Sequence, residues 1–250
     1  MKVNRLNKSS NILVSFKSLQ EISVNILDFV DIIDLKDPKK GSLGAWNISQ
    51  INKAVKTFGK QKFLSATIGD VKERKKIIEN LFMFDRIGLD FIKFGVFINN
   101  ETEMIELLRE ISEINFKTQL VPVIFADNHK LIEITKNNLR KIKELNFNFL
   151  LLDTFLKKKG DLMQECSFNF LSKFIKKSRD LDIAVGLAGK LKTKQIPQLF
   201  KLRAKVIGFR SAVCEKNDRC SLISENKTRN IYSIFNRLLI EQHNKQAYVG

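Results

Sequence analysis

The chain has 250 residues, with 44 Lys+Arg against 27 Asp+Glu, a formal charge of +17 and a sequence pI of about 9.8. At 44% hydrophobic residues it can bury one sizeable core, which excludes a disordered basic tail, and no run approaches the roughly 20 apolar residues of a membrane span. Three cysteines (Cys166, Cys214, Cys220) and two histidines (His129, His243) form neither a disulfide framework nor a zinc constellation, so a reducing cytoplasm with no metal and no cofactor is expected.

After a basic N-terminal extension over 1–10, short β-rich apolar runs alternate with longer helical patterns. The predicted strands cover 11–16 (NILVSF), 31–36 (DIIDLK), 62–69 (KFLSATIG), 91–97 (FIKFGVF), 118–127 (TQLVPVIFAD), 147–154 (FNFLLLDT), 183–189 (IAVGLAG) and 204–212 (AKVIGFRSA). Between them, sets such as Ile48, Ile51, Ala54, Val55 and Phe58, or Phe168, Leu171, Phe174 and Ile175, place an apolar stripe on one helix face. Pro197 suits a helix start, a last helix is predicted over 227–242, and 243–250 reads as a polar, frayed tail. Eight strand-helix units in one chain without a linker predict an α/β fold, a single-domain TIM (β/α)8 barrel, with a doubly wound sheet as the alternative.

In a barrel, chemistry gathers at the C-terminal ends of the strands. There the second strand offers Asp34 and Lys36, the fourth Lys93, and the sixth Asp153 with Lys157 four residues on. Alternation puts Asp34 and Lys36 on one face with Ile32, and Lys93 on one face with Phe91 and Gly95. Taken singly, each lysine reads as a strand end with its ammonium in water, and Asp153 as a turn or cap residue. Their coincidence at one end of three apolar strands points elsewhere, because buried lysines are costly unless paired or used. Neighbouring ammonium groups favour a neutral amine that can attack a carbonyl and form a Schiff base, while aspartates and the other lysines move protons.

The seventh and eighth strands end in Gly186, Gly189 and Lys190, then Gly208, Arg210, Ser211 and Ala212. Loops at these two positions commonly hold phosphate in this fold, glycines letting backbone N–H groups approach and an arginine fork matching the anion. Lys39, Lys40, Gly41 and Ser42 read as a second phosphate loop or as a solvated turn.

The stretches DIIDLKDPKKGSLGA (31–45), SATIGD (65–70), FIKFGVF (91–97), LLDTFLKKKG (151–160), GLAGKL (186–191) and GFRSAVC (208–214) together resemble the (5-formylfuran-3-yl)methyl phosphate synthase family, in order from about Ile12 to Leu239. The resemblance implies a TIM barrel lyase that condenses two molecules of glyceraldehyde 3-phosphate, a triose phosphate, into a phosphorylated furan aldehyde for methanofuran-type carriers, releasing phosphate and water. It further implies that Lys36 is the Schiff-base lysine and Lys93 the proton acceptor, with Asp34, Asp153 and Lys157 as supporting acid and base groups. Gly186, Gly189, Gly208, Arg210 and Ser211 fall where the family would hold phosphate. Ser211 stands where the strand-eight motif usually has glycine, and Ile124–Phe125 where Gly-Tyr is expected.

The positive charge permits nucleic acid, an anionic membrane or small anionic substrates. Lysines spread over nearly every predicted helix, with one Trp and two Tyr available for stacking, argue against nucleic acid and for a small-molecule substrate without a membrane partner. A homo-oligomer is compatible with this reading. Another class I aldolase for phosphorylated aldehydes, or a catalytically altered barrel paralogue, are the alternatives.

Overall fold

The computed structural model describes Leu6 and residues 9–156 and 160–247. Each predicted run contributes a strand: β1 (Asn11–Phe16), β2 (Ile32–Leu35), β3 (Phe63–Thr67), β4 (Phe91–Gly95), β5 (Gln119–Phe125), β6 (Phe149–Asp153), β7 (Ala184–Leu187) and β8 (Val206–Phe209). All pair in parallel with their chain neighbours, and β1 closes on β8 with Ile12 opposite Ile207. Closure rules out the doubly wound sheet and makes the chain a single-domain (β/α)8 barrel. The strands are shorter than the apolar runs because the ladder stops where the chain turns into a loop. Lys36 keeps one such bond, N–H to the Phe16 carbonyl at 3.0 Å, before its loop departs.

The helices are α1 (Val24–Leu27), α2 (Ile48–Phe58), α3 (Arg74–Asp85), α4 (Glu101–Ser112), α5 (His129–Asn137), α6 (Leu139–Glu144), α7 (Leu162–Glu165), α8 (Phe168–Arg179), α9 (Ile196–Lys201) and α10 (Glu225–Ala247). Asn47, Asn100 and Asn128 cap α2, α4 and α5 by accepting the N–H groups of Ser49, Glu103 and Leu131 at 2.8, 2.8 and 3.1 Å. Apolar stripes of the helices, such as Ile51 with Ala54 and Leu171 with Phe174, pack on the outward face of the strands. Phe168, predicted to join that stripe, sits in the first turn of α8 and is exposed. No helix among the described residues is long and apolar enough to cross a membrane.

The expectation at the C-terminus changes. The last helix continues past His243 through Ala247, because the segment HNKQA contains neither Gly nor Pro to stop it. Residues 248–250 of the predicted tail lie outside the described residues. In the extension, Leu6 is buried in the apolar cluster that fills the barrel, and the Ser10 hydroxyl donates to the Ala204 carbonyl at 2.6 Å.

Inward side chains divide the barrel interior into two zones. Ile32, Phe91, Val121, Phe149 and Val206 form an apolar plug, with Phe91 and Phe149 in edge contact at 5.4 Å between centroids. Towards the C-terminal ends the inward positions become polar: Ser15, Asp34 and Ser65 stand in register on β1, β2 and β3, and Lys93 stands opposite Thr67. A low-dielectric floor therefore lies directly under a layer of charge.

Candidate active site

Asp34 is at the centre of the polar layer and is 0% exposed. Its Oδ1 accepts from the Ser65 hydroxyl at 2.7 Å and lies 2.5 Å from Lys93 Nζ, while Oδ2 accepts from the Ser15 hydroxyl at 2.7 Å. Burial raises this carboxyl's pKa, but Lys93, then Lys36, and the hydrogen bonds from Lys93 and Ser15 outweigh it and hold the group below the usual carboxylate range. Lys93, 3% exposed, moves down from the ordinary lysine range. Burial is the main cause, Lys36 adds to it, and the attraction of Asp34 and Asp153 offsets it incompletely. The pair thus keeps an ionised carboxylate beside an amine whose proton is loosened.

A second pair sits beside it. Lys36 follows β2 with its side chain turned inward, and its Nζ is 3.5 Å from Asp153 Oδ2 at the end of β6. Asp153 Oδ1 accepts the Thr154 N–H at 2.7 Å. Lys36, Lys93, Asp34 and Asp153 line one cavity of about 260 Å³, so four charges predicted from three strands do converge. The fifth, Lys157, lies outside the described residues. The start of its loop is pinned by Asp127, whose carboxylate accepts the N–H groups of Phe155 and Leu156 at 2.8 and 2.6 Å.

The predicted phosphate residues separate. Gly189, Gly208, Arg210 and Ser211 line the cavity. Gly186 does not: it lies within β7, where an added Cβ would come within 2.9 Å of Leu151 Cδ1, and it borders a small apolar cavity below. Its lack of a side chain serves barrel packing, which corrects the expectation of a phosphate contact. Gly189 has φ of +105°, and a Cβ there would stand 3.0 Å from the Thr154 backbone N. Gly189→Ala is expected to cost about 1–3 kcal/mol and to displace the loop after β7, measurable as a lower urea midpoint.

Arg210 is also corrected. Its guanidinium clasps Glu21, Nη1 to Oε2 at 2.7 Å and Nη2 to Oε1 at 3.1 Å. Its remaining donors go to the carbonyls of Ser15 at 2.9 Å, Arg219 at 2.7 Å and Ser221 at 2.9 Å. All five N–H donors of the fork are thereby spent on protein. Arg210 braces the segment after β8 against the segment after β1, and phosphate would have to displace an existing partner. Glu21→Ala is expected to destabilise the fold by about 3–5 kcal/mol, because it strands a buried guanidinium; thermal or urea unfolding measures this. The Lys39–Ser42 turn is likewise occupied, since the Asp70 carboxylate accepts the N–H groups of Ser42 and Leu43 at 2.7 and 2.8 Å.

Phe125, in place of the expected tyrosine, packs with Phe97 and Phe155 at centroid distances of 5.0 and 5.2 Å and closes the β4–β6 side of the mouth with an apolar wall. The opposite wall of the cavity comes from the β7 and β8 loops, through Gly189, Lys190, Arg210 and Ser211. Burial pushes the thiols of Cys166 and Cys214 up to about 11, so neither is a thiolate nucleophile.

A protein-family model described as 4-HFC-P synthase matches residues 12–232. The chain belongs to this family. Among similar curated proteins, the (5-formylfuran-3-yl)methyl phosphate synthase of Archaeoglobus fulgidus is 30% identical over 222 residues, covering 85% of this chain and 93% of the relative. That of Methanocaldococcus jannaschii is 30% identical, covering 83% and 92% respectively. Among solved structures, a 3-hexulose-6-phosphate synthase aligns with TM-score 0.61 at 17% identity over 89% of this chain and 98% of its own, a likeness of fold. The 4-HFC-P synthase family match runs from the second residue of β1 to beyond β8, and includes every charged residue of the cavity that the structure describes.

Proposed function

We propose that this synthase condenses two molecules of glyceraldehyde 3-phosphate into (5-formylfuran-3-yl)methyl phosphate through an imine on Lys36. The observation that carries the reading is the pair of lysine-aspartate couples, Lys36 with Asp153 and Lys93 with Asp34, facing one cavity over an apolar floor. The names of its relatives support the product.

The Lys36 amine attacks the carbonyl carbon of one triose phosphate; the C–N bond forms and the carbonyl oxygen leaves as water, with Asp153 beside it to pass the protons. Lys93, its proton loosened by burial, removes the proton next to the imine carbon, and the C–H electron pair becomes the enamine. The enamine expels the phosphate on the next carbon, its C–O bond breaking, and leaves an enol whose terminal carbon is the nucleophile. That carbon attacks the second molecule, whose carbonyl has moved to the middle carbon by the same kind of proton transfer, and the new C–C bond forms. The second molecule's terminal hydroxyl oxygen closes the ring on the first molecule's middle carbon, two waters leave to complete the furan, and one water, replacing that lost on imine formation, releases the formyl group from Lys36. The net balance is two triose phosphates to one furan phosphate, one phosphate and two waters, with no net oxidation or reduction.

Lys157 joins the proton relay in this reading, and Gly189, Gly208 and Ser211 border the phosphate end of the cavity. The chemistry makes the protein a lyase supplying the furan of a methanofuran-type carrier, working in the cytoplasm. Incubation with glyceraldehyde 3-phosphate, followed by mass spectrometry and phosphate assay, tests it. One phosphate per furan aldehyde is expected, and a phosphorylated aldol without phosphate release would contradict it.

A further inference from the structure

The segment between β8 and α10 folds back as a flap across the cavity mouth. Cys214 bridges Ile223 in antiparallel fashion, Lys17 Nζ holds the Cys220 carbonyl at 2.6 Å, and Lys227 Nζ holds the Cys214 carbonyl at 2.9 Å. With Arg210 gripping the carbonyls of Arg219 and Ser221, the flap is tied at both ends and near its tip. It carries Arg219 onto the wall of the same cavity as Lys36 and Asp153.

The two arginines of this wall are in opposite situations. Arg210 has every donor engaged, whereas among the described residues Arg219 spends one of its five, Nη2 on the Gly41 carbonyl oxygen at 2.7 Å. Asp218, the acidic neighbour, turns its oxygens to the Cys220 N–H at 3.1 Å and the Ser221 hydroxyl at 3.3 Å. Burial disfavours the charge of Arg219, and Asp153 is the strongest of the groups that favour it. A half-buried guanidinium with donors to spare, at the mouth of a cavity whose floor holds the amines, is the counter-ion an anionic substrate group would meet.

We infer that Arg219 binds a phosphate group of the substrate, in the role the sequence suggested for Arg210, and that it selects phosphorylated over neutral aldehydes. The Gly41 contact fixes the fork without using it up, and Arg210 holds the flap in place without touching the ligand. Ser211 and Asn217 border the cavity on the same flap and offer further polar contacts. The inference rests on the aldehyde-condensing reading above.

The test compares the full chain with Arg219→Met and Arg219→Lys in two measurements. In the first, each protein is trapped with borohydride on glyceraldehyde 3-phosphate and on unphosphorylated glyceraldehyde. Arg219→Met should need about 10- to 100-fold more of the phosphorylated aldehyde for half-maximal adduct, with the neutral aldehyde unaffected and Arg219→Lys recovering part of the loss. In the second, inorganic phosphate is titrated by calorimetry, and its affinity should fall in Arg219→Met by a similar factor. Unchanged phosphate affinity and unchanged aldehyde preference would overturn the inference. So would an equal loss for both aldehydes, which would mark Arg219 as a brace of the flap. If the native chain forms no adduct with either aldehyde, the imine reading fails, and the phosphate titration still decides Arg219.

Discussion

Replacing Lys36 by methionine is expected to lower kcat by more than about a thousandfold, because the proposed nucleophile is removed and no neighbouring amine occupies its position at the cavity. Stability should change little. Lys36 retains some exposure, its ion pair with Asp153 is long at 3.5 Å, and Asp153 keeps its bond from the Thr154 N–H. Steady-state turnover together with a urea titration of the same variant separates the two effects. Full activity in Lys36→Met would mean that the imine forms elsewhere; a collapsed fold would mean that Lys36 holds the barrel together.

Lys93→Met should differ by failing on both counts. Activity is expected to fall by about 10²- to 10⁴-fold through loss of the proposed proton acceptor. Stability is expected to fall by about 3–5 kcal/mol, because Asp34, fully buried, loses its direct ion-pair partner and keeps as side-chain donors the hydroxyls of Ser15 and Ser65. Lys93→Met combined with Asp34→Leu removes both charges and should recover most of the stability without recovering turnover, an outcome a double-mutant cycle reads directly.

The same couple sets a pH signature. Asp34 is held below the usual carboxylate range, so its contribution to stability is fully present above about pH 4 and is lost as pH falls through the lowered value. Lys93 is also lowered, and the folded chain binds this proton less tightly than the unfolded chain. The stability linked to Lys93 therefore rises with pH between its lowered value and about 10.4.

The eight strands were legible because strands buried on both faces read as continuous apolar runs, and charges inside such runs stand out. Asp34, Lys36, Lys93 and Asp153 were found in this way. Legibility failed where the partner is distant in sequence or the backbone is irregular. Arg210 reads as a phosphate ligand until Glu21, 189 residues earlier, is seen to occupy it. Gly186 reads as a loop glycine until Leu151 is seen against it. Arg219 lies in a flap with no periodicity, and only the fold brings it to the cavity. Ser15 had a signal, as the inward-facing hydroxyl next to Asp34 in register, but it needed the pairing of β1 with β2 to be read.

The charge of +17 divides in the same way. Many lysines lie on outward helix faces in exposed pairs, such as Lys76 with Glu79 and Lys141 with Glu101, which contribute little to stability. Those that lie inside the barrel, Lys36 and Lys93, are the ones to which the proposed chemistry falls.

The most direct test of the central claim is to trap the enzyme with glyceraldehyde 3-phosphate and borohydride and to map the reduced adduct by peptide mass spectrometry. The expected result is one labelled peptide, modified at Lys36, with labelling and inactivation advancing together. A label on Lys93 or Lys157, or turnover that leaves Lys36 unlabelled, would contradict it.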